Sequence, residues 1–196
     1  MIFKAEPETM AGLKLAGLDV LTLANNHTLN QDTAGLNYTL DYLKQNNIKM
    51  EIEDLKITIV QSNLFWEDAA ANLHMFSEKL ASLQASDTDI IILPEMFSSG
   101  FTMNTQKCYQ TMDGEVINWM KSISKEKQAV ICGSLIIKEN EKFYNRLVWV
   151  QPDEKIFTYN KNHLFRLSDE HLNYEAGNKR IIIDYKGWKI CPMVCF

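Results

Sequence analysis

The chain has 196 residues, of which 46% are hydrophobic and 23% are charged, as is typical of a globular protein. The formal net charge is −5 and there is no basic run, so nucleic acid is not an expected partner. No stretch approaches the length of a membrane span, and the N-terminal residues lack the apolar core of a signal peptide. The four irregularly spaced cysteines favour reduced thiols, and a cytoplasmic location without membrane contact is expected.

The first 48 residues are predicted to form a separate segment with helix–strand–helix order. Pro7 and Gly17 can begin and end a short helix, and residues 18–23 are predicted to form a buried strand. A polar loop at residues 25–30 precedes a second helix that Asp32 can cap. The residues from Met50 onwards resemble the start of a second protein sequence. We therefore expect two domains, at residues 1–48 and 50–196.

The second segment has the alternating pattern of an α/β protein. Strands are predicted at residues 56–61, 89–93, 129–136, 143–150, 155–159, 180–185 and 188–194, and helices at residues 68–84 and 113–127. This order, in which a run of strands follows two strand–helix units, predicts a mixed sheet with helices on one face and a second face free to pack.

Three reactive side chains follow predicted strands. Glu95 and Lys161 come just after two of them, and Cys195 is placed at the end of the last. Hydrolysis of an amide by a thiol needs a base, which Glu95 can supply, and positive charge or N–H donors at the oxyanion. Lys161 and the backbone N–H of Phe196 can supply those donors, and Glu170 can orient Lys161 or help to handle the water. Each residue type also has an ordinary structural role, and no spacing rule joins the three.

Three motifs occur around these residues: Leu-Pro-Glu-Met-Phe at Glu95, Tyr-Asn-Lys-Asn-His-Leu-Phe at Lys161 and Met-Val-Cys-Phe at Cys195. Their content and order resemble the three signatures of the nitrilase, or carbon–nitrogen hydrolase, superfamily. The segments at residues 94–103 and 163–174 are similar, more narrowly, to the YafV-type omega-amidases. Those enzymes hydrolyse the terminal amide of 2-oxoglutaramate and related 2-oxo acid amides.

The resemblance implies a role for each candidate residue. Cys195 would be the nucleophile that forms a thioester, Glu95 the general base, Lys161 the oxyanion stabiliser and Glu170 an auxiliary acid. It also implies a small-molecule amide substrate, no metal, no organic cofactor and a homo-oligomer. The implied fold is an α-β-β-α sandwich.

The chain departs from that family in two respects. Asn162 follows Lys161 where the omega-amidases carry arginine, which alters the charge available for binding a carboxylate. The resemblance covers residues 55–196, the first part of such a domain, and the sequence ends one residue after Cys195. We therefore expect a partial sandwich, and little or no amidase activity from the 196-residue chain.

Residues 21–36, with Asn26 and His27, resemble a piece of the CapA-type capsule or poly-gamma-glutamate synthesis proteins. These are similar to metallophosphatases, in which Asn-His after a strand supplies metal contacts. Asn26 and His27 could then be ligands, but a metal site needs several ligands from several loops. A polar loop with nothing bound is the favoured interpretation.

Other classes of function stay open at this point. Residues 1–48 could carry a metallophosphatase-like function. The chain could also be a non-enzymatic remnant that binds a ligand without catalysing a reaction. Cys195 could act with His163 or His171 as a cysteine–histidine hydrolase. A zinc site built from Cys132, Cys191 and Cys195 is a further alternative, because Cys-x-x-x-Cys on a strand would place two thiols on one face. The last two of these hypotheses depend on which cysteine and histidine side chains come together in the fold.

Overall fold

The structure is a computed structural model that describes residues 20–21, 54–85 and 87–195. A five-stranded sheet contains Ile57–Ile59 (β2), Ile90–Ile92 (β3), Val130–Glu139 (β4), Lys142–Val150 (β5) and Ile156–Asn160 (β6), in that spatial order. A smaller sheet contains Val20–Leu21 (β1), Trp188–Cys191 (β8) and Ile183–Tyr185 (β7), in that order. The helices are Ala69–Leu80 (α1), Thr105–Cys108 (α2), Glu115–Lys127 (α3) and Glu170–Asn173 (α4), with a 3₁₀ turn at Arg166–Ser168.

The large sheet is mixed, as the order of elements predicts. Strands β2, β3 and β4 run parallel, whereas β4, β5 and β6 are antiparallel neighbours. The β4–β5 hairpin turns through Asn140 and Glu141, which both have positive φ, the backbone that suits the twist of a tight hairpin. The mixed α/β class is therefore confirmed.

Helix α1 shows how local sequence sets an element. The Asp68 carboxylate caps it by accepting a hydrogen bond from the Ala71 N–H at 3.0 Å. Leu73, Phe76 and Leu80 are buried on one face. The predicted end near residue 84 is too late, because the helix ends at Leu80 and the next residues form a turn. The short helices α2 and α4 were not predicted, since four residues are too few to show a helical period.

The two faces of the large sheet carry different layers. On one face, α1 and α3 pack through a core that includes Phe76 and Met120. The sequence predicts that the other face is free to pack. In the structure, β7 and β8 pack on part of this face, with Ile183 and Trp188 in one cluster with Trp149. Three layers are thus present in the described part of the chain.

The segment that carries Cys195 differs from the prediction. Strand β8 ends at Cys191, so Cys195 lies four residues beyond it in irregular backbone. Pro192 explains this end, because proline has no N–H for a sheet ladder. The expectation that Cys191 and Cys195 share a strand face is therefore wrong. Among the described residues no group of three His, Cys, Asp or Glu side chains could hold a metal ion, and nothing supports a zinc site there.

Most predictions for the first 48 residues lie outside the described residues. These are the two helices, the polar loop and the possible ligands Asn26 and His27. Within the predicted strand, Val20 and Leu21 pair in parallel with Ile190 and Cys191 of β8. No helix in the described ranges has both the length and the apolar character needed to cross a membrane.

Candidate active site

The carboxylate and ammonium predicted from the sequence meet where strands of the large sheet end. Glu95 lies in the loop that follows β3, and Lys161 directly follows β6. The Lys161 N–H donates to the carbonyl oxygen of Asn145 on β5 at 2.9 Å, which fixes the backbone of Lys161 against the sheet. Glu170, the first residue of α4, is fully buried and reaches the same place.

Lys161 bridges the two glutamates. Its Nζ atom lies 2.9 Å from Oε1 of Glu95 and 2.9 Å from Oε2 of Glu170. The three side chains are 2%, 5% and 0% exposed, respectively. Because buried charges are costly unless they are paired and hydrogen-bonded, this arrangement holds two carboxylates together through one cation. The ring of Phe101 lies over the same ammonium, with its centroid 5.2 Å away.

Asn145 belongs to this cluster, although the sequence analysis missed it. Its Nδ2 atom donates to Oε1 of Glu95 at 2.8 Å and to Oε1 of Glu170 at 3.1 Å. The residue is fully buried on β5. The available signal was an amide side chain in a strand that continues, after Arg146, as Leu-Val-Trp-Val, where a buried polar group must find partners.

The two glutamates differ in how fully their oxygens are used. Oε1 of Glu170 accepts from Asn145, and Oε2 accepts from Lys161 and from the Phe165 N–H at 2.6 Å. Glu170 is therefore held on all sides, as suits a group that orients Lys161. In Glu95 both donors converge on Oε1, and no other described residue donates to Oε2.

A small pocket joins this cluster to the thiol. Glu95, Cys132, Ser134, Met193 and Cys195 are among its lining residues. The loop that carries Glu95 is pinned here, since the hydroxyl oxygen of Ser134 accepts a hydrogen bond from the N–H of the next residue, Met96, at 2.9 Å.

Burial and charge set the proton affinities in the site. Burial raises the pKa of Glu95, although the Lys161 ammonium opposes this shift. Burial acts to lower the pKa of Lys161, but the two neighbouring carboxylates outweigh it, and the pKa is raised. Burial, reinforced by the charge of Glu95, raises the pKa of Cys195 to about 11. The site thus holds a protonated thiol, a protonated amine and a carboxylate with increased affinity for a proton.

The structure does not bring every candidate into the site. His163 and His171 are exposed, and no histidine is among the residues that line the Cys195 pocket in the described part of the chain. The cysteine–histidine alternative is therefore not favoured. All four cysteines lie in the described ranges, and none is in a disulfide. Phe196 is outside those ranges, so the use of its N–H as an oxyanion donor stays a prediction.

A buried ammonium and two buried carboxylates thus meet where strands of the large sheet end, next to a pocket that Glu95 and Cys195 line. Residues 56–196 match the family described as carbon–nitrogen hydrolase. The chain belongs to the carbon–nitrogen hydrolase family. Residues 1–51 match a second family, described as bacterial capsule synthesis protein PGA_cap, in agreement with the resemblance of that segment to CapA-type proteins.

Relatives with names of known enzymes support the same family. The chain is 42% identical over 142 residues to the omega-amidase YafV of Escherichia coli, covering 72% of this chain and 54% of that protein. It is 24% identical over 143 residues to the 2-oxoglutaramate amidase of Bacillus subtilis, covering 71% and 55%. The chain thus spans about half the length of the curated relatives it matches.

Solved structures of the family share the fold. A carbon–nitrogen hydrolase superfamily protein from Xanthomonas campestris, with an arsenic adduct in its active site, is 38% identical and has a TM-score of 0.71. The match covers 74% of this chain and 54% of that one. Nit3 of Saccharomyces cerevisiae, at 22% identity and a TM-score of 0.63 over 75% of this chain and 58% of that one, has a similar fold. The expected nitrilase-type fold is therefore confirmed.

Proposed function

We propose that this site hydrolyses the terminal amide of a small 2-oxo acid through a thioester on Cys195, as an omega-amidase does. The observation that carries the proposal is the convergence of Glu95 and Lys161 at 2.9 Å beside the pocket that Cys195 lines. The similarity to omega-amidases supports the choice of an amide as substrate. Glu95, Lys161 and Cys195 form the proposed triad, with Glu170 as the residue that holds Lys161.

In the first step Oε2 of Glu95 takes the proton from Sγ of Cys195. Sγ then bonds to the amide carbon, and the carbonyl electron pair moves to oxygen. The resulting oxyanion is stabilised by Lys161, since an ammonium has three donors and the two glutamates use only two of them. The backbone N–H of Phe196 is the proposed second donor.

In the second step the oxyanion collapses and the carbon–nitrogen bond breaks. Glu95 gives its proton to the departing nitrogen, so ammonia leaves and the acyl group remains on Cys195 as a thioester. Water then attacks the thioester while Glu95 accepts a proton from it. The carbon–sulfur bond breaks, the thiolate regains the proton, and a carboxylic acid is released. The raised pKa of Glu95 suits a group that both takes and returns a proton.

Three finer expectations belong to this proposal. The substrate is a 2-oxo acid amide such as 2-oxoglutaramate, and Asn162 in place of arginine alters the binding of its carboxylate. No metal or organic cofactor takes part. A cytoplasmic location and homo-oligomerisation remain predictions.

The test is ammonia release from 2-oxoglutaramate. It uses the 196-residue chain and a chimera in which Phe196 is followed by the part of the Escherichia coli omega-amidase that this chain does not span. We expect steady release by the chimera and little by the chain alone. Cys195→Ala should abolish release by the chimera, whereas Cys191→Ala, a change at a nearby buried thiol, should leave it. Equal release after Cys195→Ala would falsify the proposal.

A further inference from the structure

Asn145 uses its side-chain amide as a hydrogen-bond donor. An asparagine side chain has two N–H donors, and here one goes to Glu95 and the other to Glu170. The carbonyl oxygen Oδ1 is buried and accepts no hydrogen bond from any described residue. Buried polar atoms normally have hydrogen-bond partners. An asparagine that served packing alone should therefore have a partner for its carbonyl oxygen as well as for its amino group. The opposite orientation of the amide, with Oδ1 and Nδ2 exchanged, is excluded because it would direct Oδ1 at two carboxylates.

The position of this amide is set by the sheet. Asn145 lies opposite Ile136 of β4, and its carbonyl oxygen accepts the N–H of Lys161 beyond the end of β6. A side chain on a central strand, paired on both sides, is held more firmly than one on a loop. Glu95, in contrast, comes from the loop after β3. The donor on the strand therefore fixes the orientation of the carboxylate on the loop.

We propose that Asn145 is a positioning residue that orients Glu95 for proton transfer with Cys195. It does this by occupying Oε1 of Glu95 together with Lys161, which leaves Oε2 without a donor among the described residues in a side chain that lines the pocket. It also bridges Glu95 and Glu170, so the two carboxylates keep a fixed separation around Lys161. The inference rests on the proposed function for its chemical meaning.

The bond from Asn145 also tunes the carboxyl group that it orients. The charged and titratable groups that interact with Glu95 are Lys161, Glu170, Cys195 and Tyr174. Burial raises the pKa of Glu95, and the hydrogen bond from Asn145 acts against that shift by favouring the ionised form. Removing the donor should therefore raise the pKa of Glu95 further and make the carboxylate less available near neutral pH.

The experiment follows the carboxyl ¹³C signal of Glu95 with pH in the 196-residue chain, with the signal assigned by its loss in Glu95→Gln. Asn145→Leu keeps the side-chain size and removes both donors, and Asn145→Ser keeps one hydroxyl donor. Ser124→Ala is the matched control, because it removes a buried donor to the Ala129 carbonyl, at 2.7 Å, from α3 on the other side of the sheet. Urea unfolding checks that each variant is folded.

We expect Asn145→Leu to move the Glu95 titration to higher pH, Asn145→Ser to restore it in part, and Ser124→Ala to leave it in place. In the chimera, Asn145→Leu should lower the maximal rate of ammonia release about ten- to a hundredfold with little change in KM, as expected for misplacement of a catalytic group. An unshifted Glu95 titration in folded Asn145→Leu and Asn145→Ser overturns the inference. Absence of ammonia release by the parent chimera contradicts the proposed function instead, because the titration needs no substrate.

Discussion

Nζ of Lys161 lies 2.9 Å from Oε1 of Glu95, although 66 positions separate them in the chain and neither side chain is more than 5% exposed. The attraction between two charges buried this deeply is opposed by the free-energy cost of removing both of them from water. Glu170 and Asn145 offset part of that cost, because each adds a bond to the pair or to its partner. The following variants test what the members of this cluster contribute to stability and to activity.

Lys161→Met should destabilise the fold by about 3–5 kcal/mol at pH 7.5, because it leaves two buried carboxylates without their cation. Lys161 normally lowers the pKa of Glu95, so this pKa rises further in the variant. A carboxyl whose folded pKa exceeds its unfolded value, about 4.3, favours folding below that value and loses this contribution as pH rises. The deficit should therefore shrink between pH 7.5 and pH 5.

Urea unfolding at the two pH values measures this difference. Lys155→Met is the control, since Lys155 pairs with Asp153 at the surface, where solvent screens the pair and its loss should have little effect on stability. A loss for Lys161→Met no larger than that of the control would show that the buried pair does not stabilise the fold.

Glu95→Gln should separate stability from activity. The variant leaves Lys161 paired with Glu170 and removes a carboxyl group whose pKa is raised by burial. The parent therefore loses stability as pH rises from about 4.3 through the folded pKa of Glu95, and the variant lacks that loss. At pH 7.5 we expect the variant to be at least as stable as the parent, by urea unfolding.

The same variant should lower ammonia release by the chimera about 10²- to 10⁴-fold, the range expected for loss of a general base. Glu139→Gln serves as the comparison, because Glu139 pairs with Arg146 and lies outside the pocket lining. Undiminished release by Glu95→Gln would exclude this residue as the base.

The thiol of Cys195 should titrate far above a typical cysteine. Its pKa is raised to about 11 by burial and by Glu95, and is lowered in part by Lys161. In the 196-residue chain, alkylation of Cys195 by iodoacetamide, followed by mass mapping of its peptide, should still rise about tenfold per pH unit between pH 8 and pH 10, because only the thiolate reacts. Glu95→Gln should shift this profile to lower pH. A plateau below pH 9 in the parent would contradict the prediction.

Gly133→Ala should disturb the loop that carries Glu95. An added Cβ would lie 2.8 Å from Cδ1 of Phe97 and 2.9 Å from Cβ of Leu93, the residues two positions after and before Glu95 in that loop. We expect a loss of about 1–3 kcal/mol in the free energy of unfolding, typical of overpacking, together with reduced ammonia release by the chimera. Unchanged unfolding in urea would show that the close approach of β4 to this loop is not required.

Several features of the protein follow from local sequence alone. The apolar run at β3 and the Asp68 cap of α1 depend on neighbours a few residues away, and both were predictable. The motifs around Glu95, Lys161 and Cys195 indicated the family for the same reason, since each is a short run of letters. Pro192 was also visible, but its effect on the end of β8 was overlooked.

The tertiary structure decided how these parts meet. Asn145 donates to Glu95 from 50 positions away because only β4 separates β5 from β3, the strand before Glu95, and no local sequence pattern reveals that strand order. The complete hydrogen bonding of Glu170, and with it the open oxygen of Glu95, depends on the same order. The sequence by itself therefore determined which reactive groups the protein has and which family it joins. Only the fold decided their division of roles, because hydrogen bonds between distant residues depend on where the strands lie.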